Sequence, residues 1–239
     1  MGRAFEVRKA SMAKTAAAKT KVYSRYGKEI YMAAKAGVPD PEMNVGLKRM
    51  IDEARAKQVP ADVIKRAIDK AKGGSDESYH SVVYEGFGPG ASTFIVECLT
   101  DNDNRTVSEV RNCFTKSKGK MGVNGSVMHG YDHVGLLSFA YDDEELIMEV
   151  LLENDVELQD IELEEGTITV TVEPSSLHKA KDAIEEKLGE INFDVLEITY
   201  LAHEYVTLSE EDMPMYEKMI AMLDEVEDVQ NYYHNIEIV

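Results

Sequence analysis

The spacing of apolar residues predicts three helices in the first third of the chain. Apolar side chains recur every three to four positions in three segments, residues 11–37, 42–57 and 62–72. Gly37 and Pro39 interrupt the pattern after the first segment, Pro60 fits the first turn of the third helix, and Gly73 ends it. The first 78 residues are therefore expected to form a three-helix domain.

From residue 79 onwards the apolar pattern becomes typical of strands alternating with helices. Between residues 134 and 203 it predicts strands at 135–140, 156–163, 167–172 and 195–201, with helices at 143–154 and 176–188. Glu165 and Gly166 are expected to form the hairpin turn between the middle strands. The order β-α-β-β-α-β is that of a ferredoxin-like unit.

The residues on either side of this unit predict a second lobe. Ser92 to Leu99 reads as a strand, Thr106 and Glu109 have the spacing of a capping box for the next helix, and 119–130 reads as a Gly-rich loop with a short strand. Residues 204–239 read as strand, helix and strand. Joined, the two pieces complete a second β-α-β-β-α-β unit, since the ends of an inserted domain lie close together.

The predicted fold class is therefore α+β, with an N-terminal three-helix domain followed by two ferredoxin-like α/β lobes, the second inserted in the first. The expected divisions are residues 1–78 for the helical domain, 79–133 plus 204–239 for the first lobe, and 134–203 for the inserted lobe. No stretch approaches the roughly 20 apolar residues that span a bilayer, and no signal peptide is evident. We expect a cytoplasmic protein without membrane contact.

Charge is divided very unevenly along the chain. Residues 1–72 contain 17 Lys and Arg against 8 Asp and Glu, a net charge of +9, whereas residues 131–239 contain 4 against 30, a net charge of −26. The whole chain carries −19. Such a basic segment on an acidic protein indicates a separate face for nucleic acid.

The basic side chains of the helical domain are the candidate phosphate contacts, because Lys and Arg displace the counterions condensed on nucleic acids. The alternative is that these residues only solvate the helical bundle or dock it on the acidic lobes. The candidates are Lys9, Lys14, Lys19, Lys21, Arg25, Lys28, Lys65, Arg66, Lys70 and Lys72.

Catalytic, metal and cofactor sites have no support in the sequence. The run from Gly86 to Gly90 lacks the Lys and Ser or Thr of a phosphate-binding loop, and Asp101, Asp103 and Asn104 fit a turn that caps the helix beginning at Thr106. Neither the two cysteines nor the histidines have convincing ligand spacing. We therefore predict no metal, no cofactor and no enzymatic activity.

Several separated motifs together resemble the YebC/PmpR family of transcriptional regulatory proteins, which is related to the mitochondrial translational activator of cytochrome c oxidase. The matching blocks are Tyr84 to Gly90, Thr100 to Thr106, Gly125 to Val127, Lys70 to Gly73 and Asp228 to Gln230. The opening of the chain lacks the family's usual His-Ser-Lys-Trp-Ala-Asn-Ile block, which indicates a variant N-terminal branch.

The resemblance implies a DNA-binding transcriptional regulator or, alternatively, a ribosome-associated translation factor that binds ribosomal RNA. For the acidic lobes three alternatives stay open: a solvated surface, a surface that keeps nucleic acid on the basic domain, or a contact with a ribosome or polymerase partner. The resemblance also marks candidate interaction loops, which contain Tyr84, Glu85, Gly86, Phe87, Gly88, Pro89, Asp101, Asn104 and Arg105.

Overall fold

The computed structural model describes residues 19–73 and 79–237. The helical domain contains α1 (Lys19–Lys35), α2 (Val45–Ala56) and α3 (Ala61–Lys72). The first lobe contains β1 (His80–Phe87), β2 (Thr93–Thr100), α4 (Asp103–Lys116), β3 (Lys120–Met121), α7 (Met213–Glu225) and β8 (Val229–His234). The inserted lobe contains β4 (Tyr131–Ala140), α5 (Glu144–Glu153), β5 (Leu158–Glu164), β6 (Thr167–Val172), α6 (Leu177–Leu188) and β7 (Phe193–Ala202).

The three helices of the helical domain pack around a small apolar core. Ile30, Leu47 and Ile51 are buried there with Ile64, as the helical spacing predicts. Asn44 caps α2 by accepting a hydrogen bond from the Leu47 backbone N–H at 3.0 Å, and Gly73 caps the end of α3. This part of the prediction is confirmed over the described residues.

The inserted lobe has the predicted ferredoxin-like topology. Its antiparallel sheet has the order β5-β6-β4-β7, and α5 and α6 contribute Ile147 and Ile184 to the core beneath it. Glu165 and Gly166 both have positive φ, 51° and 75°, as a two-residue hairpin turn requires. The predicted fold class is therefore confirmed in this lobe at the level of individual strands.

The first lobe also carries a four-stranded sheet covered by two helices, but one predicted strand is wrong. Its order is β3-β1-β2-β8, and the extra strand is β1, which pairs with β2 along its whole length. The predicted strand near Glu204 is reduced to a single bridge between Val206 and Ile236. The glycines on both sides of Phe87, Gly86 and Gly88, had made this part of the chain resemble a loop, although Gly86 lies in the strand and the turn begins at Gly88.

The start of α4 also differs from its prediction. The helix begins at Asp103, and Asn102 caps it by accepting a hydrogen bond from the Arg105 N–H at 3.1 Å. Thr106 lies inside the helix, fully buried, and its hydroxyl donates to Asp228 at 2.8 Å. A threonine turned toward a buried carboxylate cannot also cap the helix, so the capping-box assignment was wrong.

The two sheets meet through a small second core. Ile95 of β2 packs with Val127 of the preceding loop and with Tyr131 and Tyr200 from the first and last strands of the inserted lobe. The Tyr131 hydroxyl lies 2.8 Å from the Thr93 hydroxyl and also donates to the Thr93 carbonyl at 3.0 Å. The inserted lobe is thus joined to the first lobe at both of its ends. In the described part of the chain, no helix has the length and apolar character needed to cross a membrane.

Candidate nucleic-acid interface

The outer face of α3 presents two exposed lysines, Lys65 and Lys72. Ile64 and Ala67 anchor the opposite face in the helical core. Lys65 and Lys72 are seven residues apart, which places them on one side of the helix two turns from each other. Both are exposed, and neither forms an ion pair with any residue that the structure describes.

Arg66 and Lys70 lie on the same helix but already have intramolecular contacts. Arg66 pairs with Asp62 at 2.5 Å, and both side chains are largely exposed. The Lys70 ammonium lies 5.5 Å from the ring centre of Tyr31 and 6.0 Å from that of Tyr79. Exposed ion pairs contribute at most about 1 kcal/mol, so Arg66 can exchange Asp62 for a phosphate at small cost.

Two of the basic candidates, Arg25 and Lys28, face the first lobe instead of the solvent. Arg25 donates to Glu29 at 2.9 Å and to Asn231 of β8 at 2.9 Å. Lys28 is 9% exposed, and its ammonium forms an ion pair with Asp228 at 3.2 Å. For these two residues the structure shows the docking on the acidic lobes that was the alternative to phosphate binding.

Four further candidates near the start of the chain cannot be placed. Lys9 and Lys14 lie outside the described residues, and Lys19 and Lys21 belong to α1, but their side chains are not described. The surface defined by the structure therefore consists of Lys65, Arg66, Lys70 and Lys72, which we call the α3 surface.

Asp228 is the centre of a buried polar cluster between the helical domain and the first lobe. Its carboxylate accepts hydrogen bonds from Arg105 at 2.7 Å and from Thr106 at 2.8 Å, and it pairs with Lys28. Burial alone would raise the pKa of Asp228, but the hydrogen bonds from Arg105, Thr106 and Lys28 outweigh it and hold the pKa below its usual value. The carboxylate is therefore charged at neutral pH.

An open cleft of about 460 Å³ lies over this cluster, and its charge does not favour a phosphate. Lys28 and Arg105 supply the positive charge of the lining, and both are engaged with Asp228. Five carboxylates outnumber them, those of Asp101, Glu109, Glu225, Glu227 and Asp228. The cleft is better explained as the solvent-facing side of the junction than as a binding site for nucleic acid.

The candidate interaction loops turn out to be two structural units. Tyr84, Glu85, Gly86 and Phe87 belong to β1, and Gly88 and Pro89 form the turn to β2. A Cβ on Gly88 would come within 2.4 Å of the Phe94 ring, so this position requires glycine. Asp101 and Asn104 are exposed around the start of α4, where Asp101 pairs with Arg105 at 2.9 Å.

Glu85 is the buried anchor of the loop that precedes the inserted lobe. Its carboxylate accepts backbone hydrogen bonds from Gly125 at 2.5 Å, Val127 at 2.6 Å and Met128 at 2.7 Å. Burial would raise the pKa of Glu85, but these three hydrogen bonds lower it below the usual value. Glu85 is therefore charged at neutral pH, and three backbone N–H groups stabilise its charge.

Comparison with known proteins identifies the chain. Residues 3–74 match the family domain described as the TACO1/YebC protein N-terminal domain, and residues 79–236 match the TACO1/YebC second and third domain. The chain belongs to the TACO1/YebC family. The match to the N-terminal domain includes the segment whose opening block departs from the usual family sequence.

Bacterial TACO1/YebC relatives are similar along the whole chain. A protein named "Probable transcriptional regulatory protein" from Marinobacter nauticus is 52% identical over 238 residues, which cover 100% of this chain and 99% of the relative. Proteins of the same name from Alteromonas mediterranea and Alcanivorax borkumensis are 51% and 49% identical over at least 98% of both chains. The relatives are thus named as regulators at the family level.

A solved structure supports the same fold. The crystal structure of a conserved hypothetical protein from Aquifex aeolicus aligns with a TM-score of 0.75 and 33% sequence identity, covering 95% of this chain and 93% of that one. The three-part TACO1/YebC architecture is therefore shared across nearly the full length.

The sequence blocks that mark the TACO1/YebC resemblance meet in two hydrogen-bonded clusters. Glu85 of the first block accepts hydrogen bonds from the backbone N–H groups of Gly125 and Val127 in the third block. Asp228 of the last block accepts hydrogen bonds from the side chains of Arg105 and Thr106 in the second block. The resemblance marks these blocks in the sequence, but their pairing was not predicted, because no local pattern shows which residue lies opposite a buried carboxylate.

Proposed function

We propose that this protein is a DNA-binding transcriptional regulator whose helical domain contacts phosphates through the α3 surface. The observation that carries the proposal is the exposure of Lys65 and Lys72 on one side of α3, with no ion pair among the described residues. Side chains of this kind release counterions from a phosphate backbone when they bind it. The names of the relatives support the regulatory part of the proposal.

The charge division explains why nucleic acid would bind the helical domain. Residues 131–239 carry a net charge of −26, which repels a phosphate backbone at distances up to about the Debye length of 8 Å at physiological salt. Helix α3 carries the four basic residues of this surface and two acidic residues, Asp62 and Asp69. A duplex is therefore attracted to one end of the protein and kept from the other.

The composition of α3 favours contact with the backbone over reading of the bases. The helix contains no Asn or Gln, the residues that pair with adenine in the major groove. Arg66 is its one bidentate donor for guanine, and Asp62 occupies it in the free protein. We therefore propose broad affinity for DNA, strongly dependent on salt, without base recognition by α3.

The double variant Lys65→Ala and Lys72→Ala tests the α3 surface. Each lost phosphate contact reduces the slope of log K against log salt by about one, so we expect the slope to fall by about two and the affinity to fall about tenfold or more at physiological salt. Fluorescence anisotropy with a labelled duplex of mixed sequence, titrated at several salt concentrations, measures both quantities.

The matched control is the double variant Lys187→Ala and Lys218→Ala. It removes the same charge from exposed lysines of the acidic lobes, so it should leave both the affinity and the slope close to those of the unmodified protein. If the two double variants lost affinity equally, only net charge would matter and the α3 surface would not be the binding face.

The regulatory assignment itself needs a measurement in cells. Crosslinking followed by sequencing should enrich discrete promoter DNA, and the protein should stay at the top of a ribosome gradient. Enrichment of ribosomal RNA together with sedimentation on ribosomes would contradict the transcriptional assignment and support the translation factor instead.

A further inference from the structure

The first lobe contains a second basic surface that interrupts an otherwise acidic body. Residues 110–131 contain Arg111, Lys116, Lys118 and Lys120 and no Asp or Glu, whereas residues 73–239 as a whole contain 9 Lys and Arg against 37 Asp and Glu. All four basic side chains are exposed. None of them forms an ion pair with a residue that the structure describes.

An exposed aromatic side chain lies beside Lys120. Phe87 is 44% exposed, and among the described Phe and Tyr residues it alone belongs to the exposed class. Phe87 of β1 is the direct partner of Lys120 of β3, and residues directly opposite in an antiparallel pair project to the same face of the sheet. Phe87 and Lys120 therefore lie side by side on this face of the sheet.

Close packing of the backbone fixes this arrangement. A Cβ on Gly119 would lie 2.6 Å from the Phe87 carbonyl oxygen, so the segment from Lys118 to Lys120 rests directly against the end of β1. The Gly119 N–H also donates to the Phe114 carbonyl at 2.8 Å, which holds the segment to the end of α4. The lysines are thus placed by rigid elements, as a preformed binding surface requires.

The one carboxylate that β1 itself places on this face is not at the surface. Glu85 lies two residues before Phe87 and hence on the same face of the strand, but it is 3% exposed and accepts three backbone hydrogen bonds. The loop that it anchors contains Val123, which is 77% exposed.

We propose that Phe87, Lys116, Lys118 and Lys120 bind single-stranded nucleic acid. The lysines would contact successive phosphates, and the ring of Phe87 would stack on one base. A duplex does not satisfy this surface equally well, because its bases are stacked on each other and cannot cover an external ring. The site goes beyond the proposed function, since it lies on the first lobe and requires no contact by the α3 surface.

The test uses the full-length protein and a labelled single-stranded oligonucleotide of mixed sequence, about 12 nucleotides long, as both DNA and RNA. Phe87→Leu keeps an apolar side chain of similar size but removes the stacking face, and we expect it to weaken binding about fivefold to a hundredfold. Phe87→Tyr keeps the ring and should retain the affinity. If Phe87 had only a structural role, single-strand affinity would not differ in this way between Phe87→Leu and Phe87→Tyr.

The charge of the surface is tested separately by Lys116→Gln, Lys118→Gln and Lys120→Gln in one protein. Glutamine suits position 118, where φ is 58°, because Gln58 has the same backbone conformation in this chain. Single strands give a slope of about 0.7 per phosphate contact, so the salt slope should fall by about two. In contrast, Phe87→Leu should leave the slope unchanged.

The outcomes separate this site from the proposed function. Loss of single-strand binding in the Phe87→Leu and triple lysine variants, with duplex binding retained, supports the site. Unchanged single-strand binding in both variants overturns the site, regardless of how the double variant Lys65→Ala and Lys72→Ala binds duplex DNA. Binding of an acidic protein partner, reduced by the lysine changes but not by Phe87→Leu, would also overturn the assignment to nucleic acid.

Discussion

At the scale of single residues, Asp228 illustrates how a buried charge is maintained. Its side chain is 3% exposed, and its partners come from two parts of the chain, Lys28 from the helical domain and Arg105 and Thr106 from the first lobe. Removing one member of a buried ion pair commonly costs about 3 to 5 kcal/mol, because the remaining charges are left without compensation.

We predict that Asp228→Asn lowers the free energy of unfolding by about 3 kcal/mol at neutral pH. Urea unfolding followed by circular dichroism measures the change. The control is Asp194→Asn, an exposed position on β7, where the change should stay within about 0.5 kcal/mol. Equal stability of Asp228→Asn and the unmodified protein would show that the cluster is neutral for folding.

The same residue predicts a dependence of stability on pH. The pKa of Asp228 is lower in the folded protein than its value of about 4 in the unfolded chain, so its contribution is complete above that unfolded value. The contribution is lost as pH falls through the folded pKa. The unfolding free energy of the unmodified protein should therefore decline more steeply below about pH 4 than that of Asp228→Asn.

At the scale of elements, β1 and the loop at 122–128 form one unit through Glu85. A carboxylate has enough lone pairs for three backbone N–H groups, whereas a glutamine side chain offers a single oxygen and turns its own N–H groups toward the others. The stability of the loop therefore depends on a residue about 40 positions earlier in the chain.

We predict that Glu85→Gln costs about 2 kcal/mol or more and speeds hydrogen exchange at Gly125, Val127 and Met128. Amide exchange measured by NMR locates the effect in the loop. Glu210→Gln, an exposed control in a turn, should leave these amides unchanged. Protection of the three amides in Glu85→Gln equal to that in the unmodified protein would contradict the role of Glu85.

The elements also show where prediction from sequence succeeds. The helices of the helical domain and all strands of the inserted lobe follow from apolar spacing, which is a local property. The strand β1 was missed because glycines at Gly86 and Gly88 are typical of loops. In the structure, a Cβ on Gly86 would clash with the Phe114 ring, so this glycine is required by packing of α4 against the sheet and not by a turn.

At the scale of the whole molecule, the helical domain is joined to the first lobe by basic residues. Arg25 contacts Asn231 and Lys28 contacts Asp228, so two of the residues that looked like phosphate contacts hold the domains together. Among the described residues, exposed basic side chains remain on α2, on α3 and in the region around Phe87.

We predict that Lys28→Met loosens the junction selectively. Amides of α1 and α3 should exchange faster, while amides of β4 and β7 in the inserted lobe should keep their protection and serve as the internal reference. The control is Lys48→Met, an exposed position of α2. Uniform loss of protection in all three parts would mean that Lys28 contributes to global stability and not to the junction.

The sequence by itself determined the three-helix domain, the inserted ferredoxin-like lobe and the division of charge, because periodicity, turn residues and net charge are set by residues close together along the chain. Which basic side chains stay exposed to solvent depends on the tertiary structure. Lys28 and Lys65 are both lysines of predicted helices, and the local sequence does not distinguish them. Lys28 pairs with a carboxylate 200 positions away, whereas Lys65 is exposed to solvent. The burial of Glu85 and Asp228 and the pairing of Phe87 with Lys120 likewise depend on contacts that no local pattern specifies.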